Sequence, residues 1–140
     1  MITRTGLHAV RAMAALARLP EGAYAGAAGI AREIGAPPNY LSKLLQGLAR
    51  SGLVRSQKGL GGGFRLARDP RHISLLDVVE PIEQVSRWSG CVLGHRDCSD
   101  EAPCAIHHRW KHVRTAYLRM LALTTVADLL AKGEPFLEGR

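Results

Sequence analysis

Residues 27–54 read AAGIAREIGAPPNYLSKLLQGLARSGLV, and this stretch decides the fold. It predicts a short helix over about 27–35, which Gly35 ends as a C-terminal cap. A second helix begins at Pro37-Pro38, because proline fits the first turn of a helix, and Gly52 closes it. The buried face of this second helix carries Leu41, Leu44, Leu45 and Leu48. Two helices joined by a tight turn are typical of a helix-turn-helix, whose second helix enters the major groove of DNA.

The exposed residues at the start of the second helix are the candidates for contact with DNA. They are Asn39, Tyr40, Ser42 and Lys43. Side chains of these types bond to base edges or to phosphate oxygens. An ordinary two-helix corner of an α-bundle would look similar, because helix-turn-helix geometry leaves only a weak mark in a sequence.

The residues that follow favour the DNA-binding interpretation. Residues 53–56 and 64–67 read as two strands, and the glycine-rich turn 58–63 joins them. A hairpin directly after a recognition helix indicates a wing. Lys58 and Arg65 would place positive charge beside a groove, and glycines such as Gly61 would let the backbone approach DNA closely. A nucleotide-binding loop is not indicated, because Phe64 occupies the last glycine position of that motif and no Gly-Lys-Ser/Thr follows.

The charge divides the chain into two regions. Residues 1–73 carry eleven Lys or Arg against three Asp or Glu, whereas residues 74–140 carry eight against nine. A basic half beside a neutral half suggests that 1–73 meets a polyanion, although a merely basic protein is about as common. We therefore expect a winged helix-turn-helix DNA-binding region at 1–73, followed at 74–140 by a loop and dimerisation region. A length of 140 residues fits one domain.

No run of about eighteen apolar residues is present, so no transmembrane helix is expected. The apolar start is interrupted by Arg4, Arg11 and Arg18, which favours an amphipathic helix over 3–19 rather than a signal peptide. We expect a cytoplasmic protein, where free thiols persist.

All three cysteines lie in one loop, with the spacing Cys91-x6-Cys98-x5-Cys104-x2-His107. Thiolates are soft ligands that select zinc, copper(I) or iron–sulfur clusters, and an imidazole can complete the set. The polar setting argues against cysteines that are simply buried. Zinc is a rival, but zinc ligands are usually paired two to four residues apart.

Two helices frame this loop. One is expected at about 75–84, capped by Ser74 and kinked or ended by Pro81, and a long one at about 104–123. A heptad-like apolar seam runs along the long helix through Ile106, Trp110, Val113, Tyr117, Met120 and Thr124. We expect this seam to pack on the first helix, and a helix of this length can also pack against its copy in a homodimer. A short capped helix over about 125–130 ends the expected elements.

In order, these features resemble the bacterial winged helix-turn-helix iron–sulfur transcription regulators of the IscR/NsrR family. The resemblance covers almost the whole chain. It is carried by the three cysteines and by GLHAVRAM at 6–13, YL at 40–41, SGLV at 51–54, GLGGG at 59–63, ISLLDVV at 73–79 and TTVADL at 124–129.

The resemblance implies a mainly α-helical, dimeric regulator whose affinity for double-stranded operator DNA depends on a bound iron–sulfur cluster. Cys91, Cys98 and Cys104 match the thiolate ligands of the family, and His107 stands where IscR-like members place a histidine ligand. The cluster would sense redox state, nitric oxide or iron status.

The chain departs from the family pattern in three places. The first cysteine gap is six residues where IscR-like members have five. The acidic ligand of NsrR-like members would fall near Leu7, which cannot bind metal. Ser42 replaces a glutamate that the IscR type uses in base discrimination. These departures leave open the cluster type, two-iron or four-iron, and the operator sequence.

A second hypothesis is a cofactor-free thiol-redox regulator, or a zinc-stabilised one, with the same fold. An enzyme is not expected, because the chain has no Cys-x-x-Cys pair and no His-Glu-x-x-His motif. Whether binding represses or activates transcription does not follow from the residues.

Overall fold

The computed structural model describes residues 2–87, 91–94 and 99–132. The described chain is mainly helical, with one two-stranded antiparallel hairpin. Its main elements are α1 (Arg4–Ala17), α2 (Ala27–Ile34), α3 (Pro38–Arg50), β1 (Val54–Gln57), β2 (Gly63–Leu66), α4 (Leu75–Glu83), α5 (His107–Leu123) and α6 (Val126–Ala131). The fold class predicted from the sequence is confirmed.

The helix ends agree with the capping signals in the sequence. Thr3 caps α1 by accepting a hydrogen bond from the backbone N–H of Gly6. Ser74 and Asp77 form a reciprocal capping box at the start of α4, as Thr125 and Asp128 do at α6. Gly35 ends α2 in the left-handed conformation that glycine adopts without strain. Pro81 lies inside α4 and does not end it.

Helix α1 lies at the centre of the core. It packs against α2, α3, α4, α6 and β2. Ala9, Ala12 and Ala14 are completely buried, and their small side chains let neighbouring helices approach closely. Leu41, Leu45 and Leu48 of α3 are buried in the same core cluster, as their spacing predicts.

The hairpin is a wing that is bonded to the rest of the fold. Its register pairs Val54 with Leu66 and Ser56 with Phe64. Phe64 also exchanges two backbone hydrogen bonds with Ala25, at 2.8 and 2.9 Å, in the segment between α1 and α2. The sequence gives no sign of this third strand-like contact, which fixes the wing beside α2 and α3.

The prediction for the long helix is wrong in two respects. Helix α5 begins at His107 rather than near residue 104, and its main packing partner is α4 rather than α1. Leu121 is buried, but Val113 and Met120 of the predicted seam are 56% and 49% exposed. The seam therefore presents these two apolar side chains at the surface, whereas its Tyr117 is half-buried against the core.

Two of the wing glycines, Gly62 and Gly63, are required by internal packing. A Cβ atom on Gly63 would lie 2.4 Å from the carbonyl oxygen of Ala25, and the φ of Gly63 is +129°. We expect Gly63→Ala to lower the free energy of unfolding by about 1–3 kcal/mol. The matched control Gly47→Ala lies in a helix, where the new Cβ would meet nothing closer than 3.6 Å. It should raise that free energy by about 0.5–1 kcal/mol. Urea denaturation of both variants measures the difference, and equal effects would contradict the packing argument.

Candidate DNA-binding surface and cysteine site

The start of α3 presents the side chains that the sequence assigns to DNA. Asn39 and Lys43 are exposed, and Ser42 is half-buried and accepts a long hydrogen bond from the Gln46 amide, at 3.4 Å. Among the described residues, no side chain caps this end of α3, which begins at Pro38. Its first backbone N–H groups therefore remain available to an anion, and a helix N-terminus favours negative charge.

Tyr40 lies against a residue of the first helix. Its hydroxyl oxygen is 3.3 Å from Nδ1 of His8, and the two rings meet edge to face with centroids 5.5 Å apart. The contact borders a cleft of about 370 Å³ lined by Arg4, Thr5, His8, Gly35, Pro37 and Tyr40. The recognition helix and the start of α1 thus form one surface.

The sequence interpretation did not assign any residue of α1 to this surface. A signal was present, because Arg4 and His8 are four residues apart and so share one helix face. The pKa of His8 is lowered from its ordinary value of 6.5, first by burial and then by the positive charges of Arg11 and Arg4. The neutral imidazole is therefore favoured in the folded protein.

The charged side chains of the wing differ in how far they are exposed to solvent. Lys58 and Gly61 lie exposed in the turn between the strands. Arg65 is half-buried instead, with its guanidinium carbon 5.0 Å from the centre of the Tyr24 ring. Arg55 is paired directly with Arg65 across the hairpin, and the sequence interpretation missed it. Two like charges opposite each other destabilise a hairpin, and a bound polyanion would relieve that repulsion.

Two of the three cysteines meet in the described part of the loop. Sγ of Cys91 is 3.5 Å from Sγ of Cys104, and both side chains are half-buried. This distance is too long for a disulfide, in which the sulfurs are about 2.05 Å apart. It is close to the ~3.8 Å that separates two sulfurs bound at about 2.3 Å to one tetrahedral metal ion. Cys98 lies outside the described residues.

His107 is buried and follows Cys104 by one turn of the chain. It is the first residue of α5, its side chain is 3% exposed, and its backbone N–H donates to the carbonyl of Cys104 at 3.1 Å. Its Nε2 lies 2.7 Å from Oδ1 of Asp100, and Lys111 donates to both oxygens of the same carboxylate. Hydrogen bonds from Lys111 and then His107 lower the pKa of Asp100 to about 2.

Three of the remaining histidines are exposed at the surface. His108 and His112 are exposed on α5, and His72 is exposed in a short 3-10 turn. His95 lies outside the described residues. Within residues 2–87, 91–94 and 99–132, no three His, Cys, Asp or Glu side chains are grouped closely enough to hold a metal ion. A complete site of the predicted kind would include Cys98.

Comparison with known proteins identifies the family. Residues 2–132 match Rrf2, described as an iron-dependent transcriptional regulator. The chain belongs to the Rrf2 family of transcriptional regulators. It is 33% identical over 96 residues to a putative HTH-type transcriptional regulator of Aquifex aeolicus, covering 67% of each chain. It is 29% identical over 133 residues to the transcriptional regulator IscR of Vibrio vulnificus, covering 95% of this chain and 79% of that one.

Solved structures of the Rrf2 fold agree with these relatives. CymR, the global cysteine regulator of B. subtilis, aligns with a TM-score of 0.80 at 25% identity, covering 94% of this chain and 97% of that one. IscR of T. potens aligns with a TM-score of 0.77 at 27% identity, covering 96% and 88%. The family resemblance and the winged-helix fold predicted from the sequence are confirmed, and the relatives are regulators rather than enzymes. No helix in the described residues is long and apolar enough to cross a membrane.

Because the pKa of His8 is lowered on folding, the unfolded chain binds a proton there more tightly than the native protein does. Stability should therefore fall as the pH drops through the ordinary value of 6.5. We expect His8→Gln to reduce the loss of unfolding free energy between pH 7.5 and 5.5. The exposed control His72→Gln should leave that loss unchanged. Urea titrations at both pH values test this, and identical pH dependence in the two variants would rule out His8 as the cause.

Proposed function

We propose that this Rrf2-family protein binds operator DNA as a homodimer and that an iron–sulfur cluster sets its affinity. The proposed ligands are Cys91, Cys98, Cys104 and His107. The observation that carries the proposal is the pair of cysteine sulfurs 3.5 Å apart, with a buried histidine in the next turn of the chain. Soft sulfur donors with one imidazole suit such a cluster, which would supply a redox- or nitric-oxide-sensitive group.

The proposed DNA surface is residues Asn39, Tyr40, Ser42, Lys43, Lys58, Gly61 and Arg65. The start of α3 would read base edges in the major groove, while the wing would follow the phosphate backbone. The charge of residues 1–73 supports this assignment, because this region contains eleven basic side chains and only three acidic ones. Arg4 extends the basic surface beside Tyr40, and the neutral ring of His8 adds a hydrogen-bonding group to the same cleft.

A contact between three helices supports a link from the cysteine loop to the DNA surface. Glu83, the last residue of α4, accepts the backbone N–H of Thr3 at 2.7 Å and so holds the start of α1. Tyr117 of α5 lies near the same carboxylate, and burial and then Glu83 raise the pKa of its hydroxyl. The cysteines lie in the segment that joins α4 to α5. A change in that segment would therefore reach the cleft that contains His8.

The energy required of this link is small. A coupling free energy of about 1–3 kcal/mol changes affinity by roughly 5- to 150-fold. Reordering a few hydrogen bonds at Glu83 and Thr3 is enough to supply it, since each is worth roughly 0.5–1.5 kcal/mol, or more when charged.

Purification without oxygen, followed by iron, sulfide and zinc assays, tests the proposed cofactor. We expect the parent to contain iron and acid-labile sulfide, and Cys98→Ala and Cys104→Ser to lose most of both. The exposed loop variant Glu101→Gln should keep them. Duplexes selected from a random pool by the parent should bind Cys104→Ser with several-fold to hundred-fold altered affinity. Protein that contains no iron under these conditions, or variants that bind DNA like the parent, would overturn the cluster switch.

The same thiol pair favours one alternative, a regulator that responds through its cysteines alone. Peroxide could oxidise Cys91 and Cys104 to a disulfide, with two thiols losing two electrons and two protons and peroxide leaving as two molecules of water. The sulfurs would need to move about 1.5 Å closer, given a disulfide length of about 2.05 Å. A colourless, metal-free protein that binds its selected duplex only when reduced would support this alternative. Zinc without sulfide would indicate the zinc-stabilised form.

Three exposed apolar side chains on α5 support assembly with a second copy of the chain. Val113, Met120 and Leu123 are 56%, 49% and 68% exposed and follow one another along the helix at spacings of seven and three. Contiguous apolar side chains of this size mark a contact surface. A homodimer would also place two recognition helices on a two-fold operator.

We expect Met120→Glu to shift the protein to monomers, because a carboxylate in the paired seam would lose its hydration without gaining a partner. Thr115→Glu is the matched control, since Thr115 is also exposed on α5 but lies about 200° around the helix from Val113, roughly on the opposite face. Analytical ultracentrifugation measures the dissociation constants of both variants. A Met120→Glu protein that dimerises as tightly as Thr115→Glu would exclude this seam as the interface.

A further inference from the structure

We propose that Asp100 is the positioning residue for His107, holding the imidazole so that Nδ1 is the atom that can bind the cluster. This inference rests on the proposed function, because it concerns how the histidine ligand is presented. Asp100 stands between Cys98 and Cys104 in the sequence, and neither the family pattern nor the spacing of the cysteines assigns it a role.

The first argument comes from the chemistry of the contact. Oδ1 of Asp100 lies 2.7 Å from Nε2 of His107. An ionised carboxylate only accepts hydrogen bonds, so Nε2 must carry the proton. A histidine that binds a metal is neutral, and with the proton on Nε2 its lone pair is on Nδ1. While the contact with Asp100 persists, binding through Nε2 is excluded.

The second argument is that Asp100 is itself held in place. Nζ of Lys111, one turn further along α5 than His107, lies 3.0 Å from Oδ1 and 2.8 Å from Oδ2. The carboxylate is thus clamped between two side chains of the same helix. Because Asp100 is 64% exposed, this clamp rather than burial fixes its orientation.

The third argument concerns the imidazole and its surroundings. The His107 ring is 3% exposed, so it cannot turn without disturbing its neighbours, and its backbone is bonded to Cys104. The positions of His107 and of the proposed ligand Cys104 are therefore fixed relative to each other within one turn of the chain. Ligating histidines usually donate their second ring N–H to a carboxylate or carbonyl, which fixes the tautomer and makes the ligand more basic.

The same contacts argue against Asp100 as a ligand in place of His107. Both of its oxygens already accept hydrogen bonds from charged or ring donors. Direct binding through Asp100 would break its contacts with Lys111 and His107 and leave the buried imidazole without this partner. The arrangement therefore favours His107 as the ligand and Asp100 as the group that orients it.

The test compares Asp100→Ala and Asp100→Glu with the neighbouring control Glu101→Ala, all prepared as full chains without oxygen. In the metal-free proteins, long-range proton–nitrogen NMR reports the tautomer of His107. We expect the Nε2-protonated form in the parent, in Glu101→Ala and in Asp100→Glu, which can restore the acceptor. Asp100→Ala should show a mixture of tautomers, with helix content unchanged by circular dichroism.

In the cluster-loaded proteins, the readouts are the nitrogen coupling in electron–nuclear double resonance and the rate at which a chelator removes iron. Outer-shell partners are typically worth 10- to 100-fold in metal affinity, so Asp100→Ala should lose iron about 10- to 100-fold faster and with an altered coupling. Glu101→Ala should match the parent.

The outcomes separate this inference from the proposed function. A parent that holds a cluster, with Asp100→Ala unchanged in tautomer, coupling and iron loss, would overturn the positioning role and leave the cluster intact. Nitrogen coupling that is absent in the parent would overturn His107 as a ligand, and Asp100 as its support. A parent protein without iron would contradict the proposed cluster-dependent function itself, whatever tautomer His107 adopts.

Discussion

The structure depends on how closely other elements approach α1. Ala9, Ala12 and Ala14 have no exposed surface, so a larger side chain at any of them would push away a neighbouring helix. The start of the same helix is held by Glu83 from α4, and a Cβ atom on Gly6 would fall 2.1 Å from that carboxylate. Helix α1 therefore packs against the other elements of the winged helix-turn-helix on one side. On the other side it packs against the end of α4, next to the cysteine loop. It is the element through which the two regions of the chain can influence each other.

This arrangement gives the proposed DNA surface two supports rather than one. Tyr40 contacts His8 of α1, while Phe64 of the wing is bonded to Ala25 just after α1. Helix α3 and the wing are thus held in position relative to α1 by two separate contacts. A displacement at the start of α1 would alter the orientation of Tyr40 before it altered the wing. Because base readout depends on placement within a fraction of an ångström to an ångström or so, such a shift would affect sequence-specific binding more than general attraction to phosphate.

Much of the fold was readable from the sequence because its signals are local. Thr3, Ser74 and Gly35 mark helix ends through bonds made within a few residues, and the leucine spacing of α3 fixes its buried face. The failures involve contacts between distant segments. Whether Val113 and Met120 fill a core or face outward depends on where α4 lies, which periodicity cannot specify. The bond between Ala25 and Phe64 is made by backbone atoms and leaves no side-chain pattern. Similarly, the cysteine spacing suggested a sulfur site, but not that Asp100 would face His107.

The spacing of Cys91 and Cys104 explains why one loop suits two kinds of signal. At 3.5 Å, two sulfurs are near the separation imposed by a shared tetrahedral metal, and a shift of about 1.5 Å would bring them to bonding distance. His107 distinguishes the two chemistries, because a disulfide switch needs no buried imidazole oriented by a carboxylate. The buried ring contacts Asp100, and Lys111 holds the same carboxylate, so the site has polar contacts that a thiol switch would not use. Under the proposed function, the histidine therefore favours a bound cofactor over a thiol switch, and the proposed link through Glu83 would serve either chemistry.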